Sequence, residues 1–276
     1  MAEKILVIKL SALGDVVLAT GAFRTIRERH ADARIALLTR RPFAGLCAAT
    51  GFFDEVLVDN RERYAGFWKV GYKIVARGGY DVVYDLQGQT RTKTYRWIAR
   101  LFSPSRVDWR TGVESPRPPD LSFCHGSKKH FGLLPAKYVL LVPGCSPGHP
   151  YKKWPVTRYR ELCARCAERG LDCVISGTSA EAAEISAICR DNPHAVDFMD
   201  KAELADLPDL ARGAAFVVGN DTGPAHMARI AGAKTVTVFS SITRNSAREA
   251  PNAVNLIKDD IADITVDEVL EAVDSL

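Results

Sequence analysis

The chain has no apolar run near the roughly twenty residues that a membrane-spanning helix needs. A secretory leader is not expected either, because Glu3 and Lys4 lead straight into a strand-like segment. Neither sign of charge dominates. A net +4 suits attraction to phosphates or an anionic membrane face, but it is too weak to argue for nucleic acid. The seven cysteines are an odd number scattered through helix- and strand-like segments, which fits reduced thiols in a cytosol. Cys163 and Cys166 form a Cys-x-x-Cys without a second pair, and Cys124, His125 and His130 lack ligand spacing, so no metal site is expected. The first strand is followed by Ser11-Ala-Leu-Gly-Asp15 rather than Gly-x-Gly-x-x-Gly, which removes the main support for a dehydrogenase. Gly148 is followed by His149, so the loop containing it is not a P-loop. A Tyr-x-x-x-Lys motif, which would support a nucleotide-sugar epimerase, is missing as well.

What remains is an ordinary globular composition, 47% apolar and 25% charged, over 276 residues that can bury one large core or two medium ones. The first half alternates strand-like runs at 4–10, 34–39, 55–58, 81–85 and 106–109 with helical patterns at 16–29, 42–50, 64–77 and 90–102. Residues 111–135 break this rhythm with Pro116, Pro118, Pro119 and Pro135, and read as a linker. Alternation then restarts, with strands at 138–142, 172–176, 195–197, 215–218 and 235–239. Its helices fall at 156–169, 180–191, 204–212, 225–231 and 266–275. Two such blocks imply two Rossmann-like parallel-sheet domains, 1–134 and 135–276, facing a cleft.

The segment from Ala214 to Phe239 is the most informative. It reads strand, tight turn, helix, strand, with Asp221, Thr222 and Gly223 in the turn and Pro224 at the first helical position. Free N–H groups at such a helix start attract anions, and an open α/β sheet binds ligands at this end of its strands. An ordinary capped turn would look the same locally. His226 falls in the first helical turn, where a neutral imidazole fits better than a charged one. Lys152 and Lys153 precede a helix whose dipole they oppose unless an anion lies nearby. Asp15 reads either as an N-cap or as a general base at the ligand end of the sheet, and Glu181 as a favourable first-turn residue. Arg61, Arg63, Gln87 and Arg91 follow strands or open helices, where arginines suit bidentate phosphate contacts.

Four segments in order, Ile5–Thr20, Asp85-Leu-Gln-Gly88, Lys152-Lys-Trp-Pro155 and Val218-Gly-Asn-Asp-Thr-Gly-Pro-Ala-His226, resemble the lipopolysaccharide heptosyltransferase family over nearly the whole chain. The resemblance implies the GT-B fold, with an acceptor-side domain first and a nucleotide-sugar domain second. It implies an inverting glycosyltransferase of lipopolysaccharide biosynthesis, moving heptose from ADP-heptose to a lipopolysaccharide-core or related anionic glycan or glycolipid. Asp15 then matches the family's base and Lys152 its leaving-group lysine. Glu181 falls at the ribose-binding position, and Asp221, Thr222, Gly223, Pro224 and His226 form the donor motif. Arg61, Arg63, Gln87 and Arg91 lie on the acceptor side. No cofactor or metal is implied beyond the donor itself. The location implied is cytoplasmic, and peripheral contact with the inner membrane's cytoplasmic face is compatible with it. Where the family continues Gly-Pro-Thr-Asp after the strand at 235–239, this chain has Ser240-Ser-Ile-Thr-Arg-Asn245. That departure and a shortened stretch between 111 and 138 leave a non-catalytic nucleotide-sugar-binding or assembly protein as the alternative.

Overall fold

A computed structural model describes residues 2–60, 68–102, 107–114, 116–145, 148–247 and 249–276. The chain divides into two compact units, Met1–Asp120 and Leu121–Leu276. The first contains β1 (Lys4–Ile8), α1 (Leu13–Leu18), α2 (Thr20–Arg29), β2 (Arg34–Thr39), α3 (Arg41–Ala49) and β3 (Glu55–Val58). A π-helix (Val70–Ala76), β4 (Val82–Asp85), α4 (Thr90–Phe102) and β5 (Asp108–Thr111) complete it. Its five strands are parallel in the order β3-β2-β1-β4-β5. Ile5 to Ile8 of β1 are fully buried, which is why the central strand reads as an unbroken apolar run rather than an alternating one.

The second unit contains β6 (Tyr138–Val142), α5 (Val156–Glu168), β7 (Asp172–Ile175), α6 (Ala182–Cys189), β8 (Ala195–Asp197) and α7 (Leu207–Gly213). It continues with β9 (Val217–Asn220), α8 (Gly223–Ile230), β10 (Thr235–Ser240), β11 (Ala253–Lys258) and α9 (Val266–Asp274). Its six strands are parallel in the order β11-β10-β9-β6-β7-β8. A core of Leu141, Ile175, Val218 and Val238 from the sheet packs against Tyr159 and Leu162 of α5 and Val269 of α9. In both units the chain winds outward one way, returns to the centre and winds the other way. The switch points lie between β1 and β4 and between β6 and β9, and the loops leaving these strands meet at the carboxyl edge.

Several elements differ from the sequence reading. The helix expected at 16–29 is two, α1 and α2, and α1 starts at Leu13. Gly14 hides that start, because glycine is a poor helix former. The strand β11, with half-buried Val254 and Leu256, was not expected. The division at Asp120 falls ahead of the expected 134/135 boundary, because Leu121 to Lys128 is clasped to α7 of the second unit. Arg212 donates to the Leu121 and Cys124 carbonyls at 2.9 and 2.6 Å, and Asp209 accepts from His125 and the Gly126 N–H. On the other side Arg117 and Asp120 donate backbone N–H groups to Thr25 and Thr20 of α2. Gly21 is required there, since a Cβ would lie 1.8 Å from the Arg117 carbonyl oxygen.

Candidate functional site

In the first unit the site grows from the loops after β1 and β4. Lys9 continues β1 by one hydrogen bond to Leu38 and sends its ammonium to the Leu86 carbonyl at 3.2 Å. Burial pushes its pKa below the usual lysine value, opposed by the nearby carboxylates of Asp15 and Asp85. Gln87 accepts from the Leu10 and Ser11 N–H groups at 2.9 and 3.1 Å, so it ties one loop to the other. Asp85, itself buried, accepts from the Gln87 and Gly88 N–H groups at 3.0 and 2.9 Å and shapes the turn. Lys9, Asp85, Gln87 and Gly88 line a cavity of about 470 Å³ with Asp15 and Gly112.

Asp15 is exposed on that cavity. It is the third residue of α1 rather than its N-cap, and its Oδ2 accepts from the Ala12 N–H at 3.1 Å. The cap and the open carboxylate thus coexist in one side chain. Arg91 is turned inward, in a bidentate pair with Asp59 at 2.6 and 2.7 Å, and Asp59 also accepts from the Tyr95 hydroxyl. That pair gives Arg91 a partner within the fold. Arg61 and Arg63 lie outside the described residues.

In the second unit the loops after β6 and β9 are joined by Asn220, which is fully buried. Its Oδ1 accepts from the Trp154 N–H and the Tyr159 hydroxyl, both at 3.0 Å. Its amide donates to the Pro143 carbonyl at 2.6 Å. Lys152, two residues from Trp154, reaches Asp221 Oδ2 at 2.7 Å, while His226 Nε2 lies 3.1 Å from Oδ1. An ionised carboxylate only accepts, so Nε2 carries a proton. Burial would raise the Asp221 pKa, but hydrogen bonds from His226 and Lys152 override it and hold the carboxyl below its usual range.

Thr222 is the extended N-cap residue of α8, with Gly223 and Pro224 opening the helix. Among the described residues none accepts from the Thr222 or Gly223 N–H. Glu181 Oε2 accepts from the Thr178 N–H and hydroxyl at 2.9 and 2.6 Å, a capping box at the start of the helical segment before α6. Its side chain lies over Gly144, where an added Cβ would come within 3.0 Å of Glu181 Cγ. Lys153 pairs instead with Glu184.

Sequence reasoning passed over Lys9, Asp85 and Asn220 as site residues. A lysine closing an apolar strand run was a usable signal for the first. The other two sit inside the quoted motifs. Among the described residues no cluster of His, Cys, Asp and Glu could hold a metal ion, and no helix is long and apolar enough to cross a membrane.

Two doubly wound parallel sheets, each with its charged loops at a switch point, define the GT-B class of glycosyltransferase architecture. The sequence model of glycosyltransferase family 9 (heptosyltransferase) matches residues 95–258, more than half of the chain, and the chain belongs to that family. No curated protein sequence matches it. Among solved structures it is similar to the family 9 glycosyl transferase of Veillonella parvula, at 18% identity and a TM-score of 0.81, covering 99% of this chain and 96% of that one. It is also similar to E. coli ADP-heptose lipopolysaccharide heptosyltransferase II, at 18% identity and a TM-score of 0.76, covering 99% and 98%. A third likeness is to E. coli heptosyltransferase WaaC with ADP, at 17% identity and a TM-score of 0.76, covering 98% and 99%. At these identities the likeness is one of fold.

Proposed function

We propose that this glycosyltransferase moves a heptose from ADP-heptose to a hydroxyl of a lipid-linked or other anionic glycan, with inversion at the anomeric carbon. The observation that carries the reading is the Asp15 carboxylate open on the first unit's cavity, matched in the second unit by a lysine and free helix-start N–H groups. Asp15 would take the proton of the attacking hydroxyl as the new glycosidic bond forms. The bond from the anomeric carbon to the diphosphate breaks on the opposite face, leaving ADP. Lys152 and the Thr222 and Gly223 N–H groups would meet the charge that develops on that diphosphate. Asp221 holds Lys152 and His226 side by side for this task. Glu181 would grip the ribose hydroxyls with the carboxylate oxygen its cap does not use. Gln87 is read as a positioning residue for the loop that bears Asp15.

Complexes of E. coli heptosyltransferase WaaC with ADP and with ADP-2-deoxy-2-fluoro heptose are known, which supports this choice of donor. The deciding assay offers ADP-heptose and a panel of purified core glycans, with and without their lipid, to the intact protein. Heptosylated product with inverted configuration is expected. Calorimetry showing no preference for ADP over GDP and UDP, together with no product, would overturn the reading.

A further inference from the structure

One face of the first unit carries a feature that the transfer chemistry does not use. The π-helix and α4 pack against each other through Gly71, where an added Cβ would lie 2.5 Å from Ile98 Cδ1. Val70, Val75, Tyr95, Ile98 and Ala99 are buried. On α4 the opposite stripe is Lys93, Trp97, Arg100 and Leu101, at helical spacing and all exposed, with Phe102 beyond it. Trp97 is 54% exposed and Leu101 58%, values unusual for such large apolar side chains.

Across the pair, Trp68 meets Trp97 edge-on at 6.4 Å and Tyr72 meets Phe102 at 5.4 Å, so the exposed rings form one surface spanning both helices. The Arg77 guanidinium lies over the Tyr72 ring at 5.6 Å. Neither helical segment, 68–77 or 90–102, contains a single Asp or Glu. An apolar aromatic surface whose two helical segments carry lysines and arginines and no carboxylate suits a bilayer interface. Its rings can sit at headgroup depth while its cations meet anionic lipid phosphates. A protein partner would demand acidic groups placed to match these cations, whereas an anionic leaflet supplies negative charge everywhere.

We propose that this face, formed by Trp68, Tyr72, Trp97, Leu101 and Phe102 with Lys93, Arg77 and Arg100 around them, docks the enzyme on an anionic phospholipid surface. The inference deepens the reading of a lipid-borne acceptor and rests on it only for its use, since vesicle binding is read without donor or acceptor. Co-sedimentation with vesicles of phosphatidylcholine alone, or mixed equally with phosphatidylglycerol, tests it. Wild type should pellet with the mixed vesicles, remain in solution with the neutral ones, and be released by salt. Lys93→Gln with Arg100→Gln should weaken partitioning about twentyfold or more, at about fivefold per charge. Trp97→Ser with Leu101→Ser should abolish the blue shift of tryptophan emission on mixing with vesicles.

Both variants change exposed side chains, so circular dichroism and ADP affinity should match wild type. Loss of ADP binding in wild type itself would instead strike the transfer reading. The inference fails if wild type ignores the anionic vesicles or if both variants pellet unchanged. It fails too if gel filtration shows that Trp97→Ser with Leu101→Ser converts a dimer to a monomer without changing vesicle binding, which would assign the face to a second copy.

Discussion

Asp15 engages the Ala12 N–H with Oδ2 while lining the first cavity, so one substitution can separate its two roles. Asp15→Asn keeps an acceptor for the cap and removes the base. We expect the turnover rate to fall about a hundredfold to ten-thousandfold, with ADP affinity unchanged. Steady-state kinetics within a few-fold of wild type would leave Asp15 as a cap alone. Lys152→Met separates the donor side in the same way. Asp221 keeps its hydrogen bond with His226, and the developing diphosphate charge loses a cation. We expect kcat/KM to drop by about a hundredfold or more and ADP to bind more weakly in calorimetry. Normal kinetics in a folded Lys152→Met protein would remove that lysine from the leaving-group role.

Among the elements, α7 holds the segment 121–128 of its own unit through Arg212 and through the carboxylates of Asp206 and Asp209. Burial would raise the Asp209 pKa, but hydrogen bonds from His125, Arg212, the Gly126 N–H and Lys128 lower it from 3.8 to about 2. A carboxyl depressed on folding contributes stability above its unfolded value and loses it as pH falls through the folded one. This clasp is therefore intact at neutral pH and fails as pH drops from about 4 toward about 2. Asp209→Asn should flatten the acid limb of a stability-versus-pH curve in that window. It should also let protease cut first between Leu121 and Lys128 at neutral pH. An unchanged acid limb and cleavage pattern would show that Asp209 contributes nothing to the clasp.

For the whole molecule, the proposal assigns the nucleotide to one unit and the base to the other. Hydrogen exchange with saturating ADP should slow amides in 144–153, 177–182 and 220–226. Amides around Asp15 and Asp85 should exchange as before. Protection confined to the first unit would reverse the assignment of donor and acceptor sides.

Much of this was legible in order along the chain. Apolar β-branched runs buried on both faces announce central parallel strands, so β1, β2, β6 and β10 stand where their composition puts them. Asp15, Lys152 and Asp221 could be singled out because each lies in the stretch between a strand and the helix that follows it, inside a segment that resembles a family motif. What the sequence could not determine was which loops meet. Sheet order decides that, by placing β1 beside β4 and β6 beside β9 across distances of many tens of residues. Only then do Gln87 reach Leu10, Asn220 reach Trp154 and Lys152 reach Asp221. The strand β9 ends at Asn220, two residues beyond its expected end at 218, and that shift carries the buried amide into the core where it links two loops. Arg91 shows the converse. Its sequence position suits an anion, but tertiary packing supplies the buried Asp59 carboxylate, and a desolvated charge takes the partner that the fold provides.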